Sequence, residues 1–567
     1  MNLSEEKKID RRGYMKYAAA GIVVVAGAGA GVYYATRPTT PPTTTAITTA
    51  TTTATTTAHK DTLILGTTDS IETSLDPAEV WDFFGASMIY TLGAPLVYIK
   101  PGTSDVFVPA LATSWTTSED GLTWTFQLRQ GVTFSDGTPF TAESVKYSFE
   151  RNIGLAMPDG PQLGLGYGDM IASVAAPSEY TVVFTLKAPF APFLALLAFS
   201  GSFIVNPNYA PNTPGEAVQY TEGDARKSNP NDLGPYLLTE WTRKGGKDYQ
   251  MTFDANPNYF GAADGYPEAK HIIIRMYSDS TALALAMKSG DIDMAFRQLS
   301  ATDIKDMQSN PNLKVWEGTG SFIQYICFQE AIPPFNDPRA RRAIAAALDR
   351  RELVDTVFLG QGIPLYSQIP NGMSYHEDPF KELGDANLQL TESLLGELGY
   401  TTQKKLVLDW WYESSGHYPQ SADLAAVFKA QLERSGLIEV NLHAADWASY
   451  KTNRDAKSMQ VYVYGWYPDY VDPDNYVQPF FDSVGGSWLG MGYSNPKMDE
   501  LIQEARSITD PVKRGELYSE IQKIMVEDCP IVPVYQGTAW AVTKPDVTGV
   551  NLDITQNMYY WLITPGS

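Results

Sequence analysis

The chain has 567 residues, more than a single hydrophobic core usually serves, so we expect two or more domains. It carries 42 Lys and Arg against 65 Asp and Glu, a net charge of −23, which argues against binding to nucleic-acid phosphates. Five His and two Cys leave few ligands for a transition-metal site, so we expect no metal and no cofactor.

The first residues resemble an export signal followed by a membrane helix. Residues 1–16 carry a cluster of Lys and Arg, and residues 17–35 form an uncharged run long enough to cross a bilayer as a helix. The basic flank stays inside, so the remainder lies outside. Residues 11–16 resemble a twin-arginine signal, with general secretion as the alternative. We expect a retained membrane anchor; cleavage and secretion remain the alternative.

Residues 36–60 form a Thr-rich stalk. Their composition of Thr, Ala and Pro cannot bury a core, so we expect an extended tether of the kind that often carries O-linked sugars. The order of anchor, stalk and large body is similar to that of archaeal surface proteins. The protein is therefore expected at the cell surface, outside the membrane.

Beyond the stalk, hydrophobic periodicity predicts strands that alternate with helices, which is typical of a mixed α/β body. Strands are predicted near residues 61–67, 123–128, 181–186, 271–277, 405–410, 438–443, 461–464 and 531–535. Helices are predicted over residues 80–92, 141–149, 282–290, 337–348, 349–360, 391–398, 421–434, 496–506 and 511–525. We expect a loop over 205–232, a hinge near 316–320 and the start of a new sheet at 322–328.

The candidate functional centre is the segment 461–481. A strand rich in β-branched and aromatic residues leads through Gly465 to Trp466 and Tyr467, and Asp469 follows its end. Ligands of α/β proteins tend to bind beyond the carboxyl ends of strands, where rings offer apolar area and an acid offers a directed hydrogen bond. Asp472 and Asp474 are instead interpreted as turn residues at the surface.

The two cysteines, Cys327 and Cys529, match no zinc or redox spacing. We expect two separate buried thiols, with a disulfide between them, which an extracellular protein permits, as the alternative.

Several blocks together resemble one family, the dipeptide- and oligopeptide-binding class of extracellular solute-binding proteins, family 5, of ABC transporters. They lie, in the family's order, at residues 131–151, 233–241 with 255–261, 284–293, 335–350 and 465–476. The resemblance covers roughly residues 61–567.

The resemblance implies a two-lobed periplasmic-binding-protein-like fold with a hinged ligand cleft between the lobes. Lobe I takes residues 61–96, 205–317 and 540–567, lobe II takes 318–539, and an extra subdomain takes 97–204.

The resemblance also implies ligand-binding residues. In peptide-binding members an Asp after a Trp holds the ligand's α-ammonium, and the matching residues here are Asp469 and Trp466. Ligand backbone would lie beside Gly465 and Tyr467.

Further positions follow from the same resemblance. Trp447 and Arg454 match a Trp and a carboxylate-binding Arg of some members, and Trp81 matches a cleft-lining position. A second Arg of the peptide binders is replaced here by Val463.

The function implied is that of a monomeric binding protein that captures a small-molecule ligand and hands it to an ABC permease. Peptide is the expected ligand, with oligosaccharide as the alternative. A secreted hydrolase is a distant alternative, because no Ser nucleophile elbow, HExxH motif or P-loop is present and no enzyme activity is expected.

Overall fold

The computed structural model describes residues 60–157, 160, 161, 170–415, 417, 418 and 420–566. The predicted anchor at 17–35 and the stalk up to residue 59 lie outside these ranges. Within the described ranges, none of the helices combines the length and apolar character that crossing a membrane requires.

The helices and strands alternate along the chain, as the periodicity predicts. The strands are β1 Thr62–Thr67, β2 Val97–Ile99, β3 Phe107–Pro109, β4 Ala112–Thr117, β5 Thr123–Leu128, β6 Ile171–Ser178, β7 Thr181–Leu186, β8 Tyr236–Lys244, β9 Lys247–Ala255, β10 His271–Met276, β11 Met294–Ala295, β12 Lys314–Phe328, β13 Ile363–Pro364, β14 Leu406–Glu413, β15 Ile438–Ala445, β16 Val461–Trp466 and β17 Ile531–Thr543. The helices are α1 Phe83–Leu92, α2 Ala142–Leu155, α3 Phe193–Ala198, α4 Ser280–Ser289, α5 Ala301–Gln308, α6 Pro338–Ala347, α7 Arg350–Val357, α8 Leu388–Glu397, α9 Ser421–Glu433, α10 Trp447–Asp455, α11 Asp474–Phe481, α12 Pro496–Ser507 and α13 Pro511–Asp528.

Local sequence signals explain most helix starts. Asp279, Asp337 and Asp349 each accept a backbone N–H at the N-terminus of α4, α6 and α7, which satisfies donors that the helix leaves unpaired. The helix starts predicted at Asp337 and Asp349 are confirmed, whereas α4 begins at Ser280, two residues before the predicted start. Helix α10 was not predicted, although Asp446 caps it in the same way.

One mixed sheet runs through the molecule in the order β15-β14-β16-β12-β17-β11-β1-β10-β9-β8, with β13 on β17. A separate antiparallel sheet has the order β4-β5-β7-β6. Strands β1, β10 and β11 are parallel, and so are β14, β15 and β16, so each of these groups presents its carboxyl ends at one edge.

The apolar core falls into three main clusters. One surrounds β12, β14 and β16, a second surrounds β1, β9 and β10, and the third lies on the four-stranded sheet. Representative buried members are, in the same order, Ile323, Trp410 and Val532; Leu63, Phe253 and Ile272; and Phe126, Phe149 and Phe184. We propose that these clusters are the cores of lobe II, lobe I and the extra subdomain.

The prediction that a new sheet begins at 322–328 is wrong. Strand β12 is continuous from Lys314 to Phe328 and pairs with β17 along both halves, with a register shift between Thr319 and Ile323. A Cβ at Gly318 would overlap the backbone of Leu552, so the glycine marks a close approach of two chains. Backbone pairing is therefore interrupted over residues 320–322 and resumes at Ile323, so both clusters share one sheet.

The two cysteines are separate thiols. Cys327 on β12 and Cys529 after α13 are both fully buried and unpaired with each other. Burial in apolar surroundings raises the pKa of each thiol.

A buried ion pair joins the four-stranded unit to lobe I. Arg151 on α2 donates to both oxygens of Asp76, at 2.9 and 2.6 Å, and both side chains are completely buried. Asp76 also accepts the backbone N–H of Val218 at 2.8 Å. This carboxylate thus holds three separate chain segments together.

We expect Arg151→Met to lower the free energy of unfolding by about 3–5 kcal/mol, because it leaves the Asp76 carboxylate buried without its counter-charge. Urea unfolding measures the change. The matched control is Arg351→Met, since Arg351 is 62% exposed and lies 3.8 Å from Asp355. Equal, small losses in both variants would contradict the assigned role of Arg151.

Candidate functional site

Strand β16 carries the predicted functional segment to the edge of the mixed sheet where the parallel strands β14, β15 and β16 end. Its residue Gly465 pairs with Gln324 of β12. A Cβ at Gly465 would lie 2.6 Å from the Phe322 ring and 2.9 Å from Tyr418. The space that a side chain would take is therefore filled by two aromatic rings, which explains the glycine.

Beyond the strand, Asn475 fastens the candidate residues. Its side-chain oxygen accepts the indole N–H of Trp466 at 3.2 Å and the backbone N–H of Asp469 at 2.7 Å. Its amide nitrogen donates to the Asp469 carboxylate at 3.4 Å. Trp466 also packs against Phe480, with ring centroids 5.1 Å apart. One side chain thus sets the positions of both Trp466 and Asp469.

We infer that Tyr467, which is exposed beyond the end of β16, faces a gap between the two lobes. Its ring stacks on Phe322 at 4.7 Å and is 48% exposed, yet loss of hydration raises its pKa. Arg297 and Asp69 from lobe I are near enough to act on the same hydroxyl.

The opposite wall is built at the carboxyl ends of β1 and β11. These strands are parallel neighbours, with Gly66 opposite Ala295, so Asp69 and Arg297 emerge at the same edge. One N–H of Arg297 reaches Asp69 at 3.4 Å, and the guanidinium lies over the Phe83 ring at 3.9 Å. Sequence reasoning missed this pair, which is 228 residues apart in the chain.

Trp81 and Asp82 lie at the start of α1, next to Phe83. Trp81 is half-buried and packs on Phe199 of the extra subdomain at 6.1 Å. Asp82 caps the helix by accepting the N–H of Gly85 at 2.6 Å. Its other oxygen is buried without a hydrogen-bond partner in the described part of the chain, and burial raises its pKa to about 6, with a smaller contribution from Glu72.

Trp447 and Arg454 are both on α10. Trp447 stacks on His417 with centroids 3.7 Å apart. Arg454 forms an ion pair with Asp455 at 2.8 Å and lies near the Tyr464 ring. Because side chains alternate along a strand, Tyr464 and Arg454 lie on the face of β16 opposite to Gly465.

Asp472 and Asp474 are not surface turn residues, which corrects their predicted exposure. Asp472 pairs with Arg514 through two hydrogen bonds, at 2.7 and 2.9 Å, while Asp474 accepts from Tyr470 at 2.6 Å. All are buried, and Asp472 still accepts the N–H of Asp474 as a turn aspartate would. The turn chemistry was predicted correctly, but the Arg partner is 42 residues away.

The segment around Tyr470 and the end of α12 contact the extra subdomain. The rings of Tyr470 and Phe190 meet edge to face at 6.1 Å, and the carbonyl of Arg506 accepts the N–H of Ala191 at 2.6 Å. Lobe II and the subdomain therefore contact each other next to the candidate site.

The described residues contain no group of three or more His, Cys, Asp or Glu side chains arranged to hold a metal ion.

A family model supports the resemblance seen in the sequence. The model for bacterial extracellular solute-binding proteins, family 5 middle, matches residues 106–488.

Curated relatives match over most of their length. A probable D,D-dipeptide-binding periplasmic protein of Escherichia coli is 29% identical over 502 residues, covering 86% of this chain and 91% of that protein. Di/tripeptide-binding protein 2 of Pseudomonas aeruginosa is 28% identical over 508 residues, covering 86% and 91%. Heme-binding protein A of Haemophilus influenzae is 26% identical over 475 residues, covering 80% and 83%.

Solved structures confirm the predicted two-lobed α/β fold. A periplasmic murein tripeptide-binding protein in its unliganded open form has a TM-score of 0.75 at 22% identity, over 90% of this chain and 98% of that one. A dipeptide-binding protein of a Pseudoalteromonas species in complex with Met-Leu has a TM-score of 0.68 at 22% identity, over 89% and 100%.

The raised pKa of Asp82 predicts a pH-dependent stability. Its folded pKa of about 6 exceeds the ordinary 3.8, so its contribution is complete below pH 4 and is lost as the pH rises to 6. The loss amounts to about 3 kcal/mol. We expect Asp82→Asn, which retains the cap, to gain stability relative to the parent between about pH 4.5 and 7.5 in urea unfolding.

Asp279 provides the matched control for this comparison. It caps α4 in the same way, but its hydrogen bonds lower its pKa, so its contribution is already complete above pH 4 and the relative stability of Asp279→Asn should stay constant over the same pH range. The same trend in both variants would contradict the role of burial at Asp82.

Proposed function

Because the chain belongs to family 5 of the bacterial extracellular solute-binding proteins, we propose that it captures short peptides outside the membrane and delivers them to an ABC permease. The names of the di- and tripeptide-binding relatives support peptide as the ligand. The observation that carries the proposal is the strand end at Trp466–Asp469, where an oriented carboxylate adjoins the gap at Tyr467.

Asp469 would bind the ligand's α-ammonium. Asn475 holds the backbone and one oxygen of Asp469, so the carboxylate is oriented before a ligand arrives. A charge-assisted hydrogen bond from an ammonium to such a group contributes roughly 1.5–3 kcal/mol net. The Trp466 and Tyr467 rings would pack on the ligand without selecting for the identity of its side chains.

Ligand binding would close the gap between lobes. Tyr467 of lobe II lies near Arg297 and Asp69 of lobe I, so one small ligand can touch both walls. A closed form is favoured only to the extent that it contacts the ligand better than the open form does. Strands β12 and β17 are the connections that bend.

We extend the proposal to the N-terminus. Residues 17–35 anchor the protein in the membrane, and the Thr-rich residues 36–60 hold the binding body away from the surface. N-terminal sequencing of protein extracted from membranes should return the start of the chain or a site before residue 17. A mature N-terminus after residue 26 would show cleavage instead.

A capture experiment tests the function. The purified protein is incubated with a random tripeptide library, separated from unbound material by gel filtration, and its bound peptides are identified by mass spectrometry. We expect retention of many sequences, since backbone and terminal contacts are blind to side chains. Parallel incubations contain xylo-oligosaccharides or haem; retention of one of these, with no peptide, would overturn the proposal.

We expect Asp469→Asn to weaken binding of a captured peptide by about 10- to 100-fold, because a neutral amide loses the charge-assisted bond to the ammonium. The N-acetylated form of the same peptide should lose much less on the same substitution. Calorimetric titration measures both, with Asp355→Asn as the control, since Asp355 is more than half exposed. Equal losses for the two peptides would mean that Asp469 only shapes its loop.

A further inference from the structure

Tyr470 belongs to lobe II in the sequence but packs in the core of the extra subdomain. Its side chain is 8% exposed and joins the apolar cluster on the four-stranded sheet, together with Phe126 and Phe184. The ring of Phe190 meets it edge to face, with centroids 6.1 Å apart. Aromatic pairs in this geometry stabilise a contact beyond the area that they bury. The residue directly after Asp469 is therefore inserted into another part of the molecule.

Polar contacts hold Tyr470 in this position from the lobe II side. Its hydroxyl donates to the Asp474 carboxylate at 2.6 Å, and that carboxylate lies 3.2 Å from the guanidinium of Arg506. The carbonyl oxygen of Tyr470 accepts the backbone N–H of Asp472 at 3.0 Å. The three charged side chains are buried, and hydrogen bonds are stronger in such surroundings than in water. Both the ring and the backbone of Tyr470 are thus fixed.

The extra subdomain contributes a backbone hydrogen bond and a ring to the same contact. The N–H of Ala191 donates to the carbonyl oxygen of Arg506 at 2.6 Å, and the guanidinium lies 5.4 Å from the centre of the Phe190 ring. The subdomain is itself joined to lobe I by the buried pair of Arg151 and Asp76. The segment after β16 is therefore held between α12 and a unit attached to the opposite lobe.

This contact lies one residue from the carboxylate proposed for the ligand's ammonium. Asn475 holds the backbone N–H and one carboxylate oxygen of Asp469 from within lobe II. The insertion of Tyr470 constrains the chain on the other side of the same residue. A group that must meet a ligand atom has to be held within about 0.5 Å of its productive position, and supporting residues provide this precision.

We propose that Tyr470 is a positioning residue, through which the extra subdomain sets the place of Asp469 and with it the preference for ligands with a free α-ammonium. The proposal rests on the peptide-binding function proposed above. Phe190 acts through Tyr470 and does not touch the ligand. None of the ligand-binding residues expected from the sequence lies in residues 97–204, so the subdomain contributes to ligand selection by supporting the loop of lobe II.

The test compares one tripeptide from the capture experiment with its N-acetylated form, by calorimetric titration of the full-length protein. We expect the parent protein to bind the free amine about 10- to 100-fold more tightly. Tyr470→Ala and Phe190→Ala should each lower this ratio about 3- to 10-fold, because the Asp469 carboxylate leaves its productive position. Tyr470→Phe keeps the ring and should retain the ratio of the parent.

The double variant Tyr470→Ala with Phe190→Ala should lower the ratio no further than either single variant, since both changes break one contact. Tyr180→Ala is the matched control and should leave the ratio unchanged. Tyr180 is a partly exposed tyrosine of the same subdomain, and it precedes β7 whereas Phe190 follows that strand.

A general loss of stability would weaken binding of both peptides equally. An unchanged ratio in Tyr470→Ala and Phe190→Ala would therefore overturn the positioning role while the peptide-binding function stands. Phe190→Ala changes no residue of lobe II, so it decides the matter if Tyr470→Ala does not fold. Equal binding of both peptides by the parent would overturn the ammonium role of Asp469 and this proposal together. If the library leaves no peptide bound, the proposed function fails and the positioning role fails with it.

Discussion

The backbone pairing of β12 with β17 on both sides of the irregularity at residues 320–322 is the constraint on which the arrangement depends. Both strands belong to one sheet that passes from the core around Ile323 to the core around Leu63. At the crossing, Gly318 lies against the backbone of Leu552 and Gly320 against that of Gly537, where side chains would not fit. Relative movement of the two cores must therefore bend the paired strands β12 and β17. Tyr467 and Arg297 follow β16 and β11, the strands on either side of that pair.

The candidate site contains two kinds of charge. Asp472 is fully engaged by Arg514, as Asp76 is by Arg151, and these buried pairs fix the backbone around the site. Asp469 and Arg297 are only partly buried and lie at the ends of strands from different lobes. The buried pairs supply rigidity, and of the two partly buried charges Asp469 is the one that we propose for ligand binding, which is the division expected of a preorganised site.

Much of the site could be read from local pattern. The strand before Gly465 and the position of Asp469 beyond its end follow from β-branched and aromatic residues ended by Pro468. What could not be read was long-range pairing: Arg297 lies next to Asp69 only because β1 and β11 are parallel neighbours. Likewise, the turn chemistry of Asp472 was visible, but the burial that Arg514 imposes on it was not.

The new sheet predicted at 322–328 failed for a related reason. Periodicity reports which face of a strand is buried, and the burial pattern of β12 does change at Gly320. The change marks the passage from one core to the next, and the hydrogen-bonded ladder with β17 resumes at Ile323 after a register shift. A sequence pattern indicates the environment of each side chain but does not predict which strand is the neighbour in the sheet.

The burial of Cys327 gives the crossing strands a built-in chemical reporter. Its thiol lies on β12 opposite Ile531 of β17, has no solvent exposure, and has a pKa raised by burial, so it is shielded from alkylating reagents in the native state. Reagent reaches that sulfur only when the ladder separates locally. The rate of its alkylation would thus measure how often the sheet around the distal end of β12, where Cys327 lies between β16 and β17, comes apart, as distinct from how far the strands bend.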